Sequence, residues 1–202
     1  MNKKMQRIVV MGTHGAGKTT LCYQLAAYLK QQQYNVKVIN ETVRQCPFPI
    51  NEDADNNTEM WVIHKHIVEE LDAKAEGYDA IVSDRGVLDG IAYWAERNPT
   101  CKDFKLLEKT SLQWMDKYDA IFLVEPSSDT DIFAVDAVRA TSIEYRNRIR
   151  DLFRIYIKKL SQHAQNRIIK VNSDDIFKGF QLPEKINKVM DDAYEKKIIS
   201  KP

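Results

Sequence analysis

Cysteine is scarce in this 202-residue chain, glycine is nearly as scarce, and long apolar runs are missing. The three cysteines, Cys22, Cys46 and Cys101, lie far apart and form no C-x-x-C pair. An odd, scattered set of this kind argues against a disulfide framework or a zinc site. No apolar stretch approaches the ~20 residues that a membrane-spanning helix needs. The basic start, Met1 to Arg7, leads into a short strand pattern without the apolar centre of a secretory signal. A cytoplasmic location is therefore expected. Excess charge of one sign is also missing, since 30 Lys+Arg face 29 Asp+Glu. Nucleic acid and membrane surfaces are accordingly not expected partners.

What is present is an alternation. Short apolar runs at Arg7–Met11, Asn35–Asn40, Tyr78–Ser83, Asp119–Val124 and Arg167–Val171 read as strands. Between and after them, helical periodicity covers Thr19–Gln31, Thr58–Glu76, Gly86–Arg97, Phe104–Tyr118, Ser142–Gln165 and Leu182–Lys196. In the second helix, Met60, Ile63, Ile67 and Leu71 form the expected buried stripe. Strands separated by helices imply βα units, a parallel sheet covered on both faces, and ligands at the carboxyl ends of the strands. The whole chain, 1–202, reads as a single domain. The loop Cys46–Asn57 is long and irregular, which suits either a functional loop or a plain connection.

Three of the seven glycines fall between residues 12 and 17. The run Gly12-Thr13-His14-Gly15-Ala16-Gly17-Lys18-Thr19 fits G-x-x-x-x-G-K-[ST], and it lies between a strand and a helix. Bare backbone can wrap a polyphosphate and turn its N–H groups inward, and the helix start adds its positive end. Lys18 supplies a charge for the β- and γ-phosphates. Thr19 offers a hydroxyl to Mg²⁺, with Thr20 beside it. A nucleoside triphosphate is the expected ligand, ATP with Mg²⁺. His14 either touches phosphate or fills an unconstrained position.

The motif does not say where the γ-phosphate goes. Other residues at strand ends bear on that. Asp84 follows the third apolar run, where a carboxylate can hold Mg²⁺ or its water. Arg85 next to it is a candidate to grip an anionic substrate. Glu41 ends the second run and is a candidate base for an attacking hydroxyl. Arg44 follows one turn later. On the long fifth helix, Tyr145, Ile149, Leu152, Phe153, Tyr156 and Leu160 share a face. Arg139, Arg146 and Arg150 share another flank, and Arg148 is placed to pair with Glu144. Arginines in such a segment suit a lid, around 127–150, that closes over the transferring group. His64 and His66 point apart on a helix and cannot readily share one metal. Trp61 and His64 instead are candidates for an acceptor pocket, against the alternative of plain helix packing.

With these residues together, the chain resembles the P-loop kinase superfamily. It is most similar to small AAA-type, NadR-like (ribosylnicotinamide-kinase-like) proteins. It is also similar in layout to thymidylate and deoxynucleoside kinases. The resemblance spans Arg7 to Val171 and implies a three-layer α/β/α P-loop fold, with a five-stranded parallel sheet in the order 2-3-1-4-5. It implies a base at Glu41 or Asp84, an acid–arginine pair at Asp84-Arg85, a lid bearing Arg139 and Arg146, and adenine contacts near Asn172 and Ser173. It further implies phosphoryl transfer to a small acceptor, a nucleoside or nucleotide, and is compatible with a homodimer. The substrate motifs of the named kinases are not evident here, nor is the arginine finger of ring-forming ATPases. An NTPase or switch acting through a protein partner is the alternative.

Overall fold

The computed structural model describes residues 4–50, 53–97, 99–126 and 143–177. Five strands form one parallel sheet: β1 (Gln6–Met11), β2 (Val36–Ile39), β3 (Ala80–Asp84), β4 (Ala120–Glu125) and β5 (Ile168–Asn172). Their order is β2-β3-β1-β4-β5, as expected. Register pairs Val9 with Ser83 on one side and with Ile121 on the other. All strands run the same way, so their carboxyl ends share one edge of the sheet.

The helices are α1 (Lys18–Gln31), α2 (Asn56–Ala75), α3 (Val87–Glu96), α4 (Lys102–Trp114), α5 (Ile143–Lys159), α6 (Gln162–Gln165) and α7 (Ser173–Phe177). They cover both faces of the sheet. Strand β1 shows why its sequence is apolar throughout. Ile8 and Val10 point into the core shared with Leu21, Leu25 and Leu29 of α1. Val9 and Met11 point the other way, into the core built with α3 and α5. A central parallel strand is buried on both faces and cannot afford polar alternation. No helix among the described residues is long and apolar enough to cross a membrane.

Three readings of the sequence change. The helix expected over Ser142–Gln165 is two. Its first part ends at Lys159, and Ser161 caps a new turn by accepting from the Ala164 N–H at 3.1 Å. The α2 stripe is also shifted. Ile63 is buried and Met60 and Ile67 half-buried, but Leu71 is 46% exposed, while Glu59, His66 and Glu70 are buried. Third, Asp84 belongs to β3 itself, as its last residue. The helix expected at Leu182–Lys196 lies outside the described residues.

The start of α2 is fixed by Asp55. Its carboxylate accepts from the Thr58 N–H at 3.0 Å, and Thr58 Oγ1 receives the Asp55 N–H. That reciprocal cap gives the irregular loop before it a structural task. Helices α2 and α3 then approach closely, because a Cβ at Gly90 would meet Ile63 Cγ1 at 2.6 Å.

Candidate functional site

The loop between β1 and α1 is a backbone cradle. Gly12, Gly15 and Gly17 all have positive φ, at 137°, 73° and 83°. Gly12 is constrained twice, since a Cβ there would come 2.5 Å from the Val124 carbonyl oxygen of β4. The loop is thus pressed against the neighbouring strand. Gly17 opens α1 without any side-chain cap, which leaves the helix N-terminus for a ligand. Ala16 is buried and packs in the core, as part of the loop's base.

Lys18 is buried, and its Nζ donates to the Thr13 carbonyl at 2.6 Å. Burial, helped by the nearby Arg85 charge, lowers its pKa to about 8. A buried ammonium in this position gains from an added anion. Thr13 Oγ1 is buried with no hydrogen-bond partner among the described residues. Thr19 Oγ1 donates to Asp84 Oδ2 at 2.5 Å, so the two expected magnesium residues already touch. Thr20 is exposed. Thr19 and Asp84 give one hydroxyl and one carboxylate, a donor set that suits Mg²⁺ when phosphate oxygens and waters complete its shell. Among the described residues no cluster of three or more His, Cys, Asp or Glu is placed to hold a metal.

His14 does not stand free. Its Nδ1 lies 3.1 Å from the Tyr93 hydroxyl, and its ring stacks with Tyr145, centroids 6.0 Å apart. It ties the loop to α3 and to the first turn of α5.

Beside the cradle lies a cleft between the turn that follows β2, helix α2 and helix α3. Most of its surface is apolar, with polar groups set among it. Thr42, Glu59, His66, Arg85, Asp89 and Tyr93 supply its polar lining. Arg85 organises it. It follows β3 with φ 75°, a left-handed conformation that costs an arginine on the order of 1–2 kcal/mol. Three partners hold it there. Its Nε donates to Glu41 in a short, charge-assisted bond, and its Nη1 lies 3.5 Å from Asp89 and 3.4 Å from the Tyr93 hydroxyl. The guanidinium also lies over the Tyr93 ring, 5.2 Å from its centroid.

Asp89 is a second organiser. Its Oδ2 accepts from the Gly86 N–H at 2.9 Å and caps α3, while its Oδ1 accepts from the Gly12 N–H at 3.4 Å. One carboxylate therefore joins the cleft to the phosphate cradle. Burial raises its pKa above the usual carboxylate range, against the pull of Arg85 and Lys18. Glu41 goes the other way. Burial pushes it up, but the Arg85 and Lys18 charges and the Arg85 bond prevail, and its pKa falls to about 2. Glu59 is pushed up to about 7 by burial, in spite of Arg97 at 3.3 Å.

The expected site residues separate into groups. Lys18, Thr19 and Asp84 come together, and Glu41 meets Arg85. Arg44 is exposed and pairs with Glu41 at 2.8 Å rather than lining the cleft. Trp61 and His64 do not line it either. Helix α2 presents Thr58, Glu59, Val62 and His66 there, while His64 is exposed and its ring lies 2.6 Å from the Met60 carbonyl. The lining follows a helical face set by Ile63 packing on Gly90, and Trp61 and His64 fall off that face. Arg148 pairs with Glu96 of α3 at 2.7 Å. Arg146 and Arg150 each keep a buried Nε without a hydrogen-bond partner among the described residues. Arg139 and most of the proposed lid lie outside the described residues. Ser173 is buried, with its Oγ also unpartnered, and Asn172 is exposed.

Asp89, Tyr93 and Glu59 were not singled out from the sequence, and His66 was weighed only as a metal ligand. Residues 85, 89 and 93 recur at intervals of four, and Gly86-x-x-Asp89 is a cap spacing, so two of them left a readable sign.

The sheet order, the strand–loop–helix cradle and the Thr19–Asp84 contact define a P-loop nucleotide-binding fold. The model of one protein family, described as AAA domain, matches residues 7–177. The chain belongs to that family. No curated protein matches the chain.

Proposed function

We propose that this protein is an ATP- and Mg²⁺-dependent phosphotransferase acting on a small acceptor, a nucleoside or a nucleotide. One observation carries the reading. A cleft lined by Glu59, His66, Arg85 and Asp89 among apolar groups lies directly beside the cradle, and Asp89 is bonded to the backbone of both. An NTPase that only hydrolyses has no need of such a second compartment.

The geometry supports the following roles. The loop N–H groups and Lys18 hold the triphosphate. Thr19 and Asp84 would hold Mg²⁺, which would supply positive charge to offset that of the phosphates. Arg85, kept rigid by Glu41, Asp89 and Tyr93, positions the acceptor. Glu41 accepts a hydrogen bond from the attacking hydroxyl. At a pKa of about 2 it is a weak base, and a loose phosphoryl-transfer step asks little of a base. Catalysis is then mainly positioning and charge stabilisation. Arg146 is the described lid residue best suited to the transferring group, since its buried Nε has no other partner there. It directly follows Tyr145, which stacks on His14 of the cradle.

The test is ADP release from Mg-ATP, with and without nucleosides, nucleoside monophosphates and nicotinamide riboside. Strong stimulation by one compound, with its phosphorylated product seen by mass spectrometry, supports the proposal. A slow rate indifferent to the whole panel favours a nucleotide switch or NTPase.

A further inference from the structure

A second joint between cradle and cleft runs through His14. This residue belongs to the glycine loop, between Gly12 and Gly15, and it is buried. Two tyrosines hold its ring. Nδ1 lies 3.1 Å from the Tyr93 hydroxyl of α3, and the imidazole stacks on Tyr145 of α5 with centroids 6.0 Å apart. Tyr93 and Tyr145 in turn meet edge to face, with centroids 6.2 Å apart. Rings from the loop, α3 and α5 thus touch in pairs.

The bond between His14 and Tyr93 does not depend on a protonation state. Burial raises the Tyr93 pKa above its ordinary value, against the pull of Arg85, so the hydroxyl keeps its proton at neutral pH. A hydroxyl both donates and accepts. It donates to a bare Nδ1 and accepts from a protonated one, so either tautomer and the charged ring all keep the bond. The same oxygen accepts from Arg85 Nη1 at 3.4 Å, and the guanidinium lies 5.2 Å from the Tyr93 ring centroid. Arginine is always the donor, and a hydroxyl oxygen with two lone pairs can serve both neighbours at once.

The line of contact is therefore loop, His14, Tyr93, Arg85. Tyr93 itself lines the cleft. A shift of its ring moves both the cleft wall and the seat of Arg85, whose backbone is held in a left-handed conformation at φ 75°. His14 limits that shift from a position inside the phosphate loop. A side chain in this loop would ordinarily act on the nucleotide. This one is turned to the other compartment.

We infer that His14 is a positioning residue for the acceptor and not a phosphate ligand: through the Tyr93 hydroxyl it fixes Arg85 and the cleft wall, and so ties the fit of the acceptor to the shape of the cradle. This rests on the phosphotransferase reading and adds a residue to it.

The experiment begins with ADP release from Mg-ATP over nucleosides, nucleoside monophosphates and nicotinamide riboside. The compound that stimulates the parent most is then used as acceptor for the variants. Affinity for Mg–AMP-PNP is measured on each by calorimetry. His14→Ala should raise the acceptor KM about tenfold, the effect of one lost hydrogen bond at a site that must stay rigid. Its affinity for Mg–AMP-PNP should stay within about twofold of the parent's, as for a group that does not touch the phosphates. Tyr93→Phe, which keeps the ring and removes one oxygen, should give a similar rise. The double variant should be no worse than either single one, because both remove the same bond. His14→Asn, whose amide reaches the place of Nδ1, should restore most of the acceptor KM.

A His14→Ala variant that weakens Mg–AMP-PNP as much as the acceptor makes His14 a phosphate ligand and overturns the inference. An unchanged acceptor KM overturns it too, as do His14→Ala and Tyr93→Phe effects that multiply in the double variant. In each of these cases stimulated ADP release in the parent leaves phosphotransfer standing. A parent that no compound stimulates overturns the phosphotransfer reading and this inference with it.

Discussion

The phosphate cradle and the cleft beside it are built by opposite means. The cradle is eight consecutive residues whose functional groups are mostly backbone. The cleft is assembled from residues spread between Thr42 and Tyr93, and its functional groups are side chains held by other side chains. In the cradle, glycine geometry does the positioning. In the cleft, ion pairs do it, such as Glu41 with Arg85 and Glu59 with Arg97. A backbone site tolerates change at few positions but is simple to recognise. A side-chain site can change ligand through single substitutions and leaves little trace in sequence.

Substitutions should separate the two. The largest effect belongs to the cradle. Lys18→Ala removes its one buried cation, and turnover should fall by about 10³-fold or more, read as ADP release. Retained turnover would break the assignment of this loop to the phosphates. Next comes the joint between the regions. Glu41→Gln frees Arg85 from its strongest partner, and kcat should fall about 10²-fold with nearly unchanged ATP affinity. The same variant tests linkage. Glu41 has a folded pKa of about 2, below its ordinary 4.5, so its stabilisation is full above pH 4.5 and lost as pH falls toward 2. Thermal melts across that window should show an acid slope in the parent that is shallower in the variant.

Smaller effects lie further out. Arg146→Ala should slow transfer about tenfold and spare ground-state nucleotide binding, as transient kinetics would show. An equal loss in both would make it a plain binding residue. The smallest change is Glu59→Gln. Here the folded pKa of about 7 is above the ordinary 4.5, so the folded state binds the extra proton and parental stability declines as pH rises from 4.5 to 7. The variant should lack that decline, seen as a flatter melting temperature between those pH values.

The same contrast explains what could be read in advance. The five strands were legible because central parallel strands such as Ile8–Met11 must be apolar on both faces, and their order was implied by the resemblance to P-loop kinases. The cradle was legible because its spacing is contiguous. Asp84 and Arg85 were legible from their place at a strand end. Helix α2 misled because its buried side carries Glu59, His66 and Glu70, whose partners Arg97, Tyr118 and Trp114 come from later in the chain. A hydrophobic periodicity cannot register a polar residue that is buried because something distant satisfies it. Trp61 and His64 were candidates for a pocket, against plain helix packing, and the close approach of α3 at Gly90 turns their neighbours inward instead.

Arg85 carries a tension between robustness and use. Its backbone sits in the conformation that asparagine or glycine takes with least strain, while its guanidinium ties Glu41 to Asp89. Selection for folding and selection for turnover therefore pull this position apart. A library sorted only for thermal endurance should drift toward asparagine at 85, and one sorted for catalysis should return to arginine.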